Sequence, residues 1–390
     1  MGESLSGATL IHNPTPKVEN DMMSIFDKHL LQNISELPKE FQWPSEQLVE
    51  TSHESLNEPL IDLGVMKTGD EVAIAKAAEL VRNACMKHGL FQVTNHGVDL
   101  DLTKAAYDEM DTIFNLPVSK KLSAKKKEGS QEGYSGAHGD RFASRLPWKE
   151  ILTFINDYSK ISDSQVLDYF VSTFGPEFQH TGLVFQKYCE AMKEFSHTVL
   201  ELLAISLGVD RMHYKEFFDD GYLVMRVNSY PPCLDNAHTF GTGPHTDPTS
   251  LTFLHQDQVG GLEVFSDNKW LEVRPRPDAF VINIGDTFMA LTNGIYKSCM
   301  HRVLVNKEVQ RKSMTGFLDP RGDKAVRAPE SLISKDTPRK YPDFTWADIL
   351  DFTQKHHRAE ADTLDVYFSW LGSSKSAPAN SAPANSAPEE

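Results

Sequence analysis

The chain has 390 residues and a formal net charge of −16, from 39 lysines and arginines against 55 aspartates and glutamates. This charge repels nucleic-acid phosphates and anionic membrane surfaces, so neither is an expected partner. The chain has no CxxC pair among its four cysteines, no apolar run of about 18 residues and no signal-peptide pattern, which together predict a reduced, cytoplasmic protein.

The first half of the chain predicts an arm followed by a helical region. Residues 1–55 mix Pro, Asn, Glu and Ser around short apolar pieces, which predicts a loosely attached N-terminal arm. Apolar positions recur at helical spacing over residues 72–88, 102–114 and 183–207, and residues 90–94 predict a strand. Each helix has one apolar face, so we expect the region 56–215 to pack on the remainder of the chain.

The second half predicts a β-rich core over residues 216–370. Turn formers separate eight short strands, predicted at 222–230, 250–255, 261–265, 270–273, 279–284, 287–291, 298–305 and 312–318. This succession predicts an α+β fold with a mainly β core, a double-stranded β-helix (jelly roll) buttressed by helices. The last residues, 371–390, repeat SAPAN and have little to bury, so they predict a disordered tail.

Three pairs of residues in the sequence could supply the first two ligands of a metal site. A histidine and an aspartate two positions apart occur at His138 and Asp140, at His245 and Asp247, and at His255 and Asp257. In an extended segment, residues at this spacing point to the same side and can offer nitrogen and oxygen to one ion. The first pair lies in a Gly-rich loop without a rigid frame. The last pair ends a strand, roughly 30 Å from the middle pair if the chain stays extended.

The middle pair, His245 and Asp247, needs a third ligand, and His301 on a later strand is the candidate. Taken alone, His301 is better interpreted as a core histidine that is hydrogen-bonded to a backbone carbonyl. One strand further on, Arg311 and Ser313 point the same way and could hold a small carboxylate inside the barrel. Exposure of Arg311 at a strand end stays open as the alternative. Two histidines and one carboxylate leave coordination positions open, the arrangement of non-haem Fe(II) oxygenases.

In its motifs the chain resembles the plant 2-oxoglutarate and Fe(II)-dependent dioxygenases over residues 59–370. The motifs are Asn228-Ser-Tyr-Pro-Pro-Cys233, His245-Thr-Asp247, His301 and Arg311-Lys-Ser313, in the family's order and spacing. The resemblance implies Fe(II) bound by the two histidines and the aspartate. It implies that Arg311 and Ser313 bind the distal carboxylate of 2-oxoglutarate, with Asn228 and Tyr230 helping to hold it. Dioxygen would be the second cosubstrate and ascorbate the reductant. Ser229 stands where the family commonly has tyrosine.

A second motif, Leu146-Pro147-Trp148-Lys149-Glu150, resembles the marker of the gibberellin 20-oxidase subgroup. That resemblance implies oxidation of carbon-20 of gibberellin precursors, from methyl to alcohol to aldehyde, followed by loss of the carbon or formation of an acid. Ile151 replaces the subgroup's usual threonine, which leaves substrate preference and final product open.

The substrate implied by this resemblance is a small, mostly hydrocarbon diterpenoid acid, bound by a monomeric enzyme. An acid beside an apolar wall calls for a cation, so we expect Lys149, Arg145 or Arg141 to neutralise its carboxylate. The remaining candidates for substrate contact are Phe142, Leu146, Trp148 and Glu150.

Two other functions remain compatible with these motifs. A sister dioxygenase acting on another gibberellin carbon, or on a flavonoid, would share the iron and oxoacid residues and differ in the substrate pocket. A non-catalytic jelly-roll binding protein would not need the complete set of histidine, aspartate, arginine and serine side chains.

Overall fold

Two facing β-sheets form the centre of the protein. The computed structural model describes residues 26–27, 31, 34–45, 48, 51–52, 54–137, 145–356 and 362–376. The strands are β1 (Leu60–Asp62), β2 (Leu90–Thr94), β3 (Gly133–Gly136), β4 (Glu150–Asp157), β5 (Tyr222–Tyr230), β6 (Phe240–His245), β7 (Leu251–Gln256), β8 (Leu262–Ser266), β9 (Lys269–Glu272), β10 (Phe280–Ile284), β11 (His301–Leu304), β12 (Arg311–Asp319), β13 (Ala325–Val326) and β14 (Phe344–Thr345).

The strand order confirms the predicted jelly roll. The major sheet has the order β1-β2-β10-β7-β12-β5-β4-β3, and the minor sheet has the order β6-β11-β8-β9. Strands β1 and β2 pair in parallel, whereas the other pairs in both sheets are antiparallel. Several neighbours, such as β2 and β10 or β6 and β11, are not consecutive in the chain, so the chain passes repeatedly between the two sheets and encloses an interior between them.

Helices surround this core. They are α1 (Val65–Thr68), α2 (Glu71–Lys87), α3 (Leu100–Phe114), α4 (Val118–Ser123), α5 (Gln165–Phe174), α6 (Gln179–Leu207), α7 (His213–Phe218), α8 (Asp286–Leu291), α9 (Trp346–Lys355) and α10 (Thr363–Ser376). The side chains of Asp70 and Asp99 accept backbone N–H bonds and begin α2 and α3. Gly208, at φ 70°, ends α6 in a left-handed conformation that glycine adopts without strain.

Alternation along the strands separates the helix-facing side of the major sheet from its inner side. On β5, Leu223, Met225 and Val227 belong to the main hydrophobic core, which also contains the buried face of α6. Phe195 of α6 packs against rings of β7 and β10, with centroids 5.2 Å from Phe253 and 4.9 Å from Phe280. The intervening β5 residues face the minor sheet, because successive side chains of a strand point to opposite sides.

Most predicted elements are present, with two kinds of difference. The predicted strands at 90–94 and 222–230 match β2 and β5. The strand predicted at 287–291 is wrong, since these residues lie in helix α8. A short apolar run fits a strand or a buried helix equally well, and periodicity does not separate them. Strand β6 was missed because its Gly-Thr-Gly-Pro composition is typical of a turn.

The described part of the N-terminal arm is packed against the core rather than loosely attached. Phe41 lies 5.0 Å from the ring of Trp148, and Phe26 lies 5.5 Å from the same ring. All three rings are buried in one cluster. We call residues 37–45 the N-terminal strap. Short apolar segments among polar residues predict weak attachment. The attachment is firm because the aromatic side chains of these segments pack on Trp148 of the marker motif.

At the C-terminal end, the predicted tail boundary at residue 371 falls inside α10, and residues 377–390 lie outside the described residues. Within the described part of the chain, no helix combines the length and apolarity needed to cross a membrane.

The seating of α6 on the major sheet can be tested at Phe195. We expect Phe195→Ala to lower the free energy of unfolding by about 3–5 kcal/mol, because a fully buried ring is replaced by a cavity. Leu183→Ala on the same helix is the matched control, since Leu183 is 40% exposed and the change should cost within about 0.5 kcal/mol. Urea denaturation measures both, and equal losses would contradict the packing described here.

Candidate metal centre and active site

The minor sheet and the loop after β6 bring His245, Asp247 and His301 together. His245 ends β6, His301 begins β11, and the two residues are directly paired across these strands. Their ring centroids are 4.2 Å apart. Asp247, in the loop that follows β6, places its Oδ1 3.5 Å from His245 Nε2 and its Oδ2 3.8 Å from His301 Nε2. One ligand atom from each residue lies within 4.8 Å of the others, a spacing that suits three ligands of one ion.

Backbone carbonyls set the orientation of both imidazoles. His245 Nδ1 lies 2.8 Å from Gly243 O, and His301 Nδ1 lies 3.0 Å from Cys299 O. A carbonyl only accepts, so each Nδ1 carries a proton, and the lone pair with which either ring can bind a metal is on Nε2. Both lone pairs belong to the nitrogens nearest Asp247. Such fixing of the far ring nitrogen is typical of histidines that bind metals.

Asp247 is held as a carboxylate. Burial on its own raises the pKa of this carboxyl, but the imidazoles of His301 and His245 and a hydrogen bond from Thr252 hold the pKa well below its usual range. Thr252 Oγ1 donates to Asp247 Oδ2 at 2.6 Å. The carboxylate is therefore deprotonated at neutral pH and anchored by one oxygen. These three side chains fit Fe(II), which takes two histidines and a carboxylate on one face of its coordination sphere.

On the inner side of the major sheet, Arg311 forms a buried cationic site. Its side chain is fully buried, and Nη2 donates to Gln256 Oε1 at 2.9 Å. Its Nε and Nη1 have no hydrogen-bond partner among the described residues. The guanidinium lies over the ring of Tyr230, 4.9 Å from its centroid. A buried guanidinium with two free donors fits a bound carboxylate, since leaving a buried charge uncompensated is costly. The alternative of a solvent-exposed Arg311 is wrong.

Pairing between β5 and β12 assembles the other predicted oxoacid residues. Arg311 is paired with Tyr230, and Ser313 is paired with Asn228. Asn228 Nδ2 lies 3.3 Å from Ser313 Oγ and 3.2 Å from the hydroxyl of Thr315. All four predicted residues therefore lie on the inner side of the major sheet, as an anion site beside the three candidate ligands requires. Ser229 points the opposite way, where its hydroxyl accepts a bond from Gln310.

One charged residue of this inner side was missed in the sequence. Arg226 lies two residues before Asn228 on β5, and its Nε lies 3.3 Å from Thr153 Oγ1. Its guanidinium lies over the ring of Phe317, 5.1 Å from the centroid. Phe317 is paired with Thr252, the residue that anchors Asp247. Strand alternation was the available signal, because residues 226, 228 and 230 must share one side.

The marker motif lies along the arm and the start of β4. Lys149 is buried, and its Nζ donates to Thr242 Oγ1 at 2.9 Å and lies 5.8 Å from the ring centroid of Tyr230. Trp148 donates to Pro231 O and packs against the arm. Leu146 and Arg145 are half-buried. The other two predicted substrate residues, Arg141 and Phe142, lie outside the described residues.

Glu150 does not fit the predicted substrate contact. Its carboxylate pairs with Lys121 Nζ at 2.6 Å and accepts a bond from Tyr134 on the helix-facing side of β4. Both partners are buried, so this carboxylate is taken up by the core. The next residue, Ile151, points inward and is paired with Asn228.

The alternative metal pairs do not compete with this centre. His255 Nδ1 contacts Tyr107 Oη and its Nε2 contacts Pro277 O, and burial lowers its pKa to about 4. Asp257 accepts backbone bonds from Lys312 and Val259. Their hydrogen bonds give both residues a structural role. His138 and Asp140 lie outside the described residues.

Comparison with known proteins identifies the class that this fold and site define. Residues 221–320 match the model of the 2OG-Fe(II) oxygenase superfamily, and residues 59–170 match the N-terminal region of a non-haem dioxygenase in morphine synthesis. The chain is 51% identical to gibberellin 20 oxidase 2 of Oryza sativa subsp. indica, over 86% of this chain and 85% of that protein. It is 49% identical to gibberellin 20 oxidase 3 of Arabidopsis thaliana, over 90% and 94% of the two chains.

Solved structures agree with the sequence relatives. The crystal structure of JOX2 in complex with 2OG, Fe and JA superposes with a TM-score of 0.75 at 28% identity, covering 89% of this chain and 96% of that one. The rice dioxygenase for auxin oxidation gives a TM-score of 0.65 at 29% identity, covering 78% and 97%. The chain belongs to the 2OG-Fe(II) oxygenase superfamily, with gibberellin 20 oxidases among its relatives at about half identity. The predicted resemblance, enzyme class and cosubstrates are thereby confirmed.

The anchoring of Asp247 by Thr252 can be tested directly. We expect Thr252→Val to weaken Co(II) or Fe(II) binding by about tenfold, because the hydroxyl that holds one carboxylate oxygen is lost while the shape of the side chain is kept. Metal titration followed by calorimetry measures the change. Thr103→Val is the control, since Thr103 is a buried threonine of α3 whose hydroxyl bonds only the backbone of its own helix. Equal affinities of the Thr252 variant and the wild type would contradict the role of this bond.

Proposed function

We propose that the protein oxidises carbon-20 of gibberellin precursors, with Fe(II) bound by His245, Asp247 and His301 and with 2-oxoglutarate as cosubstrate. The observation that carries the proposal is the convergence of these three residues beside the buried Arg311. Relatives that cover most of the chain at about half identity, and that are named gibberellin 20 oxidases, support carbon-20 as the position of attack.

Each group of residues has its own part in this reaction. When bound, Fe(II) with 2-oxoglutarate and dioxygen supplies an oxidant able to remove hydrogen from an unactivated C–H bond, and the oxoacid leaves as succinate and carbon dioxide. Arg311 and Ser313 bind the distal carboxylate of the oxoacid, with Asn228 and Tyr230 beside them. The enclosed interior excludes water from the reacting carbon.

We propose Arg226 as a partner for the carboxylate of the substrate, together with the predicted cations Lys149, Arg145 and Arg141. Arg226 is half-buried on the inner side of the major sheet, next to the apolar ring of Phe317. Two strand spacings of about 4.8 Å each separate its strand from the strand of Thr252, the residue that anchors Asp247. Lys149 lies nearer to Tyr230 and the oxoacid site.

The walls of the substrate pocket are also proposed from the marker motif. Phe142, Leu146 and Trp148 supply apolar surface, and the pairing of Glu150 with Lys121 leaves Glu150 outside this proposal. Ile151 lies beside Asn228 on the inner side of the sheet, where its methyl groups replace a hydroxyl in the subgroup's usual residue. This position is suited to affect which carbon-20 product is released. The buried, free cysteines suit a reducing compartment, and we propose a monomer acting in the cytosol.

Turnover of a precursor panel tests the function. With Fe(II), 2-oxoglutarate and ascorbate under air, we expect mass spectrometry to show carbon-20 alcohol and aldehyde, followed by loss of the carbon or formation of an acid. His245→Ala should abolish both this oxidation and succinate formation. Oxidation at another gibberellin carbon, or of a flavonoid, would instead identify a sister dioxygenase. Binding without any succinate formation would favour a non-catalytic protein.

A second measurement tests the role of Arg226. We expect Arg226→Met to raise the KM for the gibberellin precursor by about 10–100-fold, because one charge-assisted hydrogen bond to the substrate is lost. The KM for 2-oxoglutarate should stay unchanged. Lys149→Met is the comparison variant, because among the described residues it removes the buried cation of the predicted set. A precursor KM that changes in Lys149→Met and not in Arg226→Met would assign the carboxylate to Lys149.

A further inference from the structure

The N-terminal strap lies against the outer side of β6, the strand that ends at His245. Trp43 N donates to His238 O at 2.9 Å, just before this strand. The Trp43 and Phe240 rings meet edge to face at 5.1 Å. Both rings are buried, with Leu48 and Leu304 packed against them. The strap is therefore attached to β6 by a backbone hydrogen bond and an aromatic contact.

Trp43 also touches the backbone of β6 at Gly243. A Cβ atom at Gly243 would lie 2.1 Å from Trp43 Cη2, and the three heavy atoms nearest to that position all belong to the six-membered ring of the indole. Glycine is thus required at position 243 because the indole occupies the space of a side chain. The contact is direct and leaves the backbone no room to move outward.

This part of β6 lacks the support that a regular strand has. The pairing with β11 joins His245 to His301 and Thr242 to Val303, with a register shift between the two pairs. Residues 243 and 244 fall in this irregular stretch, where Gly243 is the most flexible residue type and Pro244 has no N–H to donate. The carbonyl of Gly243 nevertheless has to stay in place, because it accepts the bond from His245 Nδ1 at 2.8 Å.

We propose that Trp43 is a positioning residue for the metal centre, which fixes the Gly243 carbonyl from the outer side of the sheet and thereby orients the imidazole of His245. The inference rests on the metal-binding role proposed for His245. Trp43 touches neither the metal nor a substrate. Its effect is to keep the Nε2 lone pair of His245 directed at the position shared with Asp247 and His301.

The strap joins this support to the marker motif. Glu40 O accepts a bond from Leu146 N at 2.8 Å, and Phe41, two residues before Trp43, packs on Trp148. The Trp148 N–H in turn donates to Phe240 O at 2.8 Å. Strand β6, the N-terminal strap and the marker motif are therefore connected by direct contacts.

Metal binding in Trp43 variants tests this inference. Trp43→Phe keeps an aromatic side chain beside Phe240, but a phenyl ring is too short to reach the positions that the six-membered ring of the indole occupies. We expect the Kd for Co(II), measured by calorimetry on the full chain, to rise by about tenfold in Trp43→Phe and further in Trp43→Ala. Circular dichroism and the Tm establish that both variants are folded. The matched control is Leu48→Ala, which removes apolar contact from the same cluster without touching Gly243, and its Kd should stay that of the wild type.

The results separate this inference from the proposed function. A Kd for Co(II) in folded Trp43→Phe within about twofold of the wild type would overturn the positioning role, and so would an equal rise in Leu48→Ala. The titration contains no gibberellin. Failure of the wild type to oxidise carbon-20 would therefore overturn the proposed substrate and leave the positioning role of Trp43 standing.

Discussion

The candidate active site depends on charged and polar side chains that strand alternation places in the interior between the two sheets. Arg311 is fully buried with two donors that the described residues leave unused, and Asp247 is a buried carboxylate beside two imidazoles. Such groups cost free energy unless they are paired. A dication and a dicarboxylate oxoacid would supply the missing opposite charges, so binding of the metal and the oxoacid would offset a cost that folding leaves in place.

The two halves of the metal centre are held by different means. His301 is paired without a register shift with β8, and the predicted oxoacid residues are paired without a register shift between β5 and β12, so their positions follow from the sheets. His245 follows an irregular stretch of β6, and Asp247 lies in a loop. Asp247 depends on Thr252, and we attribute the position of His245 to the strap behind Gly243. Support from outside the sheet replaces hydrogen bonds that the irregular strand lacks.

The sequence predicted the parts of the fold that have strong local signals. Long amphipathic helices such as α6 and a strand such as β5 carry periodic apolar positions, and these were found nearly to their bounds. Residues 287–291 were mistaken for a strand because a short apolar run has no decisive period. Strand β6 was missed because its glycines and proline suggest a turn. In the structure, Gly243 leaves space for the indole of Trp43.

By itself the sequence predicted which residues carry the chemistry, since histidine, aspartate, arginine and serine occur in the order and at the spacing of the family that the chain resembles. Only the tertiary structure decided how they are used: it brought His245 and His301 to a centroid distance of 4.2 Å, directed Glu150 into a core ion pair, and placed Arg226 and Trp43 on opposite sides of the site. The physical reason is that contacts between strands and helices join residues far apart in the chain, and their geometry is set by strand register and packing rather than by local sequence.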